Sequence, residues 1–271
     1  MQKIRLKRAV IFTALFLFGC SSDQVRITKA FGLAENNQYR PLVVKTSTFP
    51  LQIFYKDYHS KHAVIYFEGD GLVINKYGEV AINPTPTDPM AIRLASVDSR
   101  NLTKVVITRP YHYTKDHIPD PKYWTTARYS TEVIQATIEA IQFCQQKFHF
   151  ETVEFVAYSG GASVALLVAA KFKNLQRIIT FAGNLDHSQW THYHQTQPLS
   201  LSLNPLENRE KLREIPQIHF LGTEDANTTI DLGLQYKQKL GSEKICIIPI
   251  KGFEHDSNWP DIWKEQIVKL K

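Results

Sequence analysis

A chain of 271 residues, 43% hydrophobic and 21% charged, holds enough apolar material for one large core. It is too apolar for a disordered chain and too polar for a multi-span membrane protein. The formal net charge is +6, but Lys3, Arg5, Lys7 and Arg8 supply four of those charges, and the +2 left on the remainder gives no footing for a nucleic-acid partner.

Those four cations precede the apolar run 9–18, a charged segment followed by a hydrophobic one too short to span a bilayer stably, as in a secretory signal peptide. The run leads into Leu17-Phe18-Gly19-Cys20, which resembles the lipobox of bacterial lipoproteins. The resemblance implies a signal peptide over 1–19, lipidation of Cys20 and a membrane anchor at that residue. Ser21 after the cysteine resembles the pattern of lipoproteins sent to the outer membrane. An exported, periplasm-facing protein is therefore expected, with residues 20–38 as lipidated terminus and tether and one folded domain over 39–271. Export would permit a disulfide between Cys144 and Cys246, but one falls in a helical pattern and the other in a late strand. Two buried free thiols are expected instead.

From residue 40 onward, β-branched and aromatic runs alternate with helical patterns, the signature of a mostly parallel sheet covered by helices on both faces. Runs 42–47 and 51–55 read as an antiparallel hairpin at the edge of the sheet. Runs 63–67, 104–108, 153–157, 177–181, 217–221 and 245–250 read as buried strands, for about eight strands in all. Helices are expected from Asp88 with Pro89 in the first turn, over 130–147 with Ile134, Ile138 and Ile141 on one face, and over 160–172, 206–214, 228–240 and 260–271. The segment 185–216 is a lid-like insertion, and 111–129 is a loop rich in aromatics. Both belong at the C-terminal edge of the sheet, where open α/β folds bind ligands.

Ala157-Tyr158-Ser159-Gly160-Gly161 stands where a strand ends and an apolar helix begins. A serine in such a turn resembles a nucleophile elbow of the G-x-S-x-G kind, with Ala157 in place of the first glycine, the alternative being a Gly-Gly helix start with Ser159 as its N-cap. The Gly160 amide then lies at the positive end of the helix, where an oxyanion would develop. A serine hydroxyl needs a base and an orienting acid. His255 follows the last strand and is the expected base, and Asp225 after the strand 217–221 is the preferred acid. Glu224 next to it and Asp186 after the earlier strand stay open as alternatives. The loop Glu68-Gly69-Asp70-Gly71 after the first parallel strand supplies further oxyanion donors, Asp70 first and Gly71 second, although a carboxylate so close to an oxyanion must be turned away or hydrogen-bonded. Tyr111, Trp124, Asp186 and Trp190 are candidates for the pocket wall. His187, His192 and His194 raise a metal site, but no H-E-x-x-H or equivalent set accompanies them, so neither metal nor cofactor is expected.

With Ser159, Asp225 and His255 in that order, the chain from about residue 40 resembles the α/β-hydrolase superfamily. Tyr123-Trp124-Thr125, Arg128-Tyr129-Ser130, Ala182-Gly183-Asn184-Leu185-Asp186-His187 and Ser200-Leu201-Ser202-Leu203-Asn204-Pro205 are similar to stretches of uncharacterised proteobacterial hydrolase lipoproteins. The resemblance implies a serine hydrolase acting on a small acyl substrate, an ester first and a thioester or amide next. The alternative is a member of the fold that has lost turnover and binds a ligand or partner.

Overall fold

The structure, a computed structural model, describes residues 22–114 and 119–269. Eight strands form one sheet in the order β1-β2-β4-β3-β5-β6-β7-β8. β1 (Arg40–Lys45) and β2 (Pro50–Lys56) make the edge hairpin, with Val43 opposite Gln52, and β2 runs antiparallel to β4 (Thr103–Ile107). β3 (His62–Phe67), β4, β5 (Thr152–Tyr158), β6 (Leu175–Phe181), β7 (Gln217–Gly222) and β8 (Ile245–Ile250) are parallel. All eight strands fall where the apolar runs place them.

Alternation along each strand divides the core in two, because successive side chains point to opposite faces. Ile65, Phe67, Val105, Phe155 and Ala157 face one layer, built on α3 (Thr131–Phe148), α4 (Gly161–Ala169) and α7 (Ile230–Leu240). Val64, Tyr66, Val106, Val156 and Ile179 face the other, built on α1 (Ser22–Asn36), α2 (Met90–Val97) and α8 (Trp259–Lys269). Trp259 and Trp263 on α8 are wholly buried there, and truncating either to alanine would cost about 3–5 kcal/mol.

Helix α1 departs from the expected tether. Ile27, Ala30 and Ala34 are buried at helical spacing, and Tyr39 Oη donates to the Ala95 carbonyl at 2.7 Å. Residues 22–36 therefore belong to the folded unit. Two of the three buried residues are alanines, so the apolar stripe is too faint to stand out in the sequence. Residues 1–21, with Cys20 and the signal segment, lie outside the described residues.

The insertion 185–216 folds as α5 (His187–Tyr193), a single turn at Pro205–Asn208 and α6 (Arg209–Leu212). Asn204 caps that turn in a reciprocal box with Glu207. The strand-to-helix loops after β3, β5, β7 and β8 converge at the C-terminal edge of the sheet, and the insertion borders them.

Candidate active site

Ser159 follows β5 at φ 51°, in the left-handed region that side chains avoid. Such a conformation costs on the order of 1–3 kcal/mol and must be held by its surroundings. Here the Ser159 amide donates to the Phe181 carbonyl at 3.0 Å, while the Ser159 carbonyl accepts from the amides of Ala162 and Asn184. The two following glycines are steric necessities. A Cβ at Gly161 would stand 2.6 Å from the Glu68 carbonyl oxygen, so α4 can approach the loop after β3 only without one. A Cβ at Gly160 would stand 2.2 Å from the Asp70 carboxylate.

Ser159 Oγ lies 2.9 Å from His255 Nε2, and His255 Nδ1 lies 3.0 Å from Asp225 Oδ2. With its proton on Nδ1, the imidazole donates to Asp225 and leaves Nε2 to accept from the serine. Asp225 is 4% exposed and also accepts from the amides of Asn227 and Thr228 and from Thr228 Oγ1. Burial works to raise its pKa, but the hydrogen bond and charge of His255 and the donors of Thr228 outweigh it and hold the carboxyl below its ordinary value. The loop carrying His255 is fixed from both sides, by Trp259 Nε1 donating to the His255 carbonyl and by Tyr158 Oη donating to Asp256 at 2.9 Å. Glu224 is exposed. Asp186 caps α5 and pairs with Lys239 Nζ and Asn204 Nδ2, each at 2.7 Å. Of the three carboxylates weighed in the sequence, only Asp225 meets His255.

The loop after β3 crosses directly over the serine, since a Cβ at Gly69 would lie 3.5 Å from Ser159 Cβ. Its two acids are dealt with differently. Asp70 accepts from Arg109 Nη1 and Arg128 Nη1 at 3.0 Å and from Tyr129 Oη at 2.9 Å. Burial would raise this carboxyl, yet the charges of Arg128 and Arg109 prevail and lower it, so Asp70 is ionised and fully compensated. Glu68, 1% exposed, has no cationic side chain bonded to it among the described residues. Burial pushes its pKa up to about 8, against the weaker pull of hydrogen bonds from the Gly69 and Ala91 amides. Asp70 is compensated by its salt bridges and Glu68 is held toward its neutral form by burial, so neither acid sets a bare charge against the amides of Asp70 and Gly160. Among the described residues neither amide donates to a protein acceptor. Gly71 turns the loop at φ 73° against the Pro84 carbonyl.

A cleft of about 850 Å³ opens over Ser159 and His255. Trp190 lines it as expected, together with Leu72, Val73, Ile74 and Leu199. Tyr111, Trp124 and Asp186 do not, which corrects their assignment to the pocket. Trp124 is buried, donates Nε1 to the Ala81 carbonyl and stands edge-on to Tyr111, so this pair pins its loop to the body. His187 and His194 bond the carbonyls of Leu203 and Asn227. Among the described residues no group of three or more His, Cys, Asp or Glu is placed to hold a metal ion. Cys144 is a buried free thiol, whereas Cys246 is exposed, contrary to expectation. Sequence reasoning missed Arg109 and Arg128, and with them Tyr129 and Thr228. The signal for the first two was the demand that Asp70 be compensated, which called for cations the motif does not name.

No protein-family model and no curated protein matches the sequence. Solved structures do match the fold. A Pyrococcus furiosus esterase superposes with a TM-score of 0.61 at 13% identity, over 87% of this chain and 91% of its own. An α/β serine hydrolase homologue from Coxiella burnetii gives 0.57 at 12% identity, over 85% and 96%. A putative hydrolase from Bacillus subtilis gives 0.62 at 10% identity, over 92% and 99%. Strand order, crossover pattern and these likenesses agree that the chain has the α/β-hydrolase fold.

Proposed function

We propose that this protein is a serine hydrolase, most readily an esterase, that works through an acyl-Ser159 intermediate. The reading is carried by the unbroken hydrogen-bonded series Ser159, His255, Asp225 at the floor of an open cleft. His255 Nε2 takes the hydroxyl proton as Ser159 Oγ bonds to the acyl carbon, and Asp225 stabilises the imidazolium. The carbonyl oxygen, now an oxyanion, is received by the amides of Gly160 and Asp70. The imidazolium then gives its proton to the departing alcohol, thiol or amine as that bond breaks. Water, deprotonated by the same histidine, attacks the acyl-enzyme, and the carboxylic acid leaves as Oγ recovers its proton. Leu72, Val73, Ile74, Trp190 and Leu199 offer an apolar wall to the substrate's hydrocarbon part. The esterase and serine hydrolase names of similarly folded proteins point the same way. Hydrolysis of short p-nitrophenyl esters tests the reading. Wild type should turn them over, with Ser159→Ala lowering kcat by about 10⁴-fold or more, and equal rates for the two would contradict it.

The proposal extends to location. Export by residues 1–19 and lipidation at Cys20 would make it a periplasm-facing lipoprotein, most consistently of the outer membrane. Mass spectrometry of the mature N-terminus should find an acylated Cys20, and Cys20→Ala should abolish both acylation and signal cleavage.

A further inference from the structure

The segment after the oxyanion loop forms a small hairpin, 72–82, of which only Ala81 is buried. The Ala81 amide donates to the Val73 carbonyl, the Asn75 amide to the Glu79 carbonyl and the Leu72 amide to the Pro84 carbonyl, closing a ladder with Gly78 at its tip. Ile74 pairs with Val80 across the ladder. Polar residues are expected on such a protrusion, yet Ile74, Tyr77, Val80 and Ile82 are 48%, 74%, 45% and 89% exposed. Lys76 reaches over the Tyr77 ring at 5.0 Å. A cluster of branched aliphatics with a tyrosine and a lysine at its margin has the composition of a surface that meets a lipid interface.

Two neighbours give this surface its setting. At its base, Leu72, Val73 and Ile74 line the cleft above Ser159. At its root, the first turns of α1 are fastened to it, with Arg26 Nη2 donating to the Asn83 carbonyl at 3.3 Å and Lys29 Nζ to the Thr87 carbonyl at 3.0 Å. Ser22, where α1 begins, is one helical turn or about 6 Å from Arg26 along the axis, and Val25 is 57% exposed. Cys20 is only two residues earlier, a reach of no more than about 7 Å. Because α1 is packed rather than loose, no long tether separates an anchor at Cys20 from the hairpin.

We propose that the hairpin 72–82 docks on the phospholipid bilayer, holding the mouth of the cleft against the membrane, so that the substrate is an amphiphilic acyl ester drawn from the lipid phase. This rests on the reading of Cys20 as anchor and of Ser159 as nucleophile, and each can fail separately in the test. The intact protein, with Cys246→Ser to remove the exposed thiol, is labelled with an environment-sensitive dye at Ile82→Cys or, as control, at Leu234→Cys on α7. It is then mixed with vesicles of phosphatidylethanolamine and phosphatidylglycerol carrying a nitroxide quencher. Dye at position 82 should shift to the blue and be quenched, and dye at 234 should do neither. Flotation with vesicles while position 82 remains in water would overturn the docking surface and leave the anchor standing. Failure to float would overturn both. A blue shift without vesicles that grows with protein concentration would assign the surface to a second copy of the chain and overturn the bilayer. In turnover, the double variant Tyr77→Asn/Ile82→Asn should lose about tenfold on an ester embedded in vesicles, the effect of removing roughly two apolar anchors, and keep its rate on a water-soluble ester. Equal rates on both substrates would count against docking, whereas absence of hydrolysis in the wild type would count against the hydrolase reading alone, since the depth measurement needs no catalysis.

Discussion

The carboxylate of Asp70 occupies the space that a side chain at Gly160 would require, with Oδ1 2.2 Å from the position of a Cβ there. The turn at Ser159 and the loop after β3 are thus fitted to each other through an acid that is itself clamped by Arg109, Arg128 and Tyr129. Gly160→Ala must displace one or the other. We expect it to lower kcat by about 10²-fold, the scale of a misplaced oxyanion donor, and stability by about 1–3 kcal/mol. Ester turnover and urea unfolding would measure the two.

Removing the charge of Asp70 while keeping its shape tests the clamp. In Asp70→Asn two largely buried guanidiniums lose their counter-ion. A loss of about 3–5 kcal/mol in unfolding free energy is expected, and Tyr129→Phe, which removes one neutral donor, should cost only about 1 kcal/mol.

Glu68 gives the fold a pH dependence of defined sign. Its folded pKa is raised by burial to about 8 from an ordinary 4.5, so below 4.5 it carries a proton in both states and contributes nothing. Between those values the unfolded chain ionises first, and stability falls as pH rises; above 8 the deficit is constant. Glu68→Gln removes the deficit. It should match wild type in thermal melts near pH 4.5 and exceed it by a few kcal/mol near pH 8.

The acid of the triad is open to substitution one carboxylate at a time. Asp225→Asn should lower kcat by about 10³–10⁴-fold. Glu224→Gln should leave turnover and stability unchanged. Asp186→Asn should leave turnover within a few-fold while reducing stability by about 1 kcal/mol through its partly buried contacts with Lys239 and Asn204. Loss of activity in Glu224→Gln or Asp186→Asn equal to that in Asp225→Asn would reassign the acid.

What could be read from the sequence follows from how local each signal is. The buried strands declare themselves as apolar runs, and Ser159 and His255 stand at the ends of two of them, so the fold and the hydroxyl–imidazole pair are legible from chain order. Asp225 was a preference until Thr228 and the Asn227 amide placed its carboxylate. Arg109 and Arg128 are far from Asp70 in the chain, and only the folded loops bring them to it. Tyr111 and Trp124 looked like pocket wall because an aromatic loop beside a cleft has two uses, and here the Ala81 carbonyl draws the indole inward. Helix α1 escaped notice because alanines at 30 and 34 do the packing that larger residues would have advertised.

Activation of Ser159 as a nucleophile by His255 is tested most directly with a fluorophosphonate probe, followed by mass spectrometry of the intact chain and its peptides. One adduct is expected, on Ser159, absent from Ser159→Ala and formed far more slowly in His255→Ala. A wild-type chain that takes up no probe, or a Ser159→Ala chain that takes up as much as wild type, would contradict it.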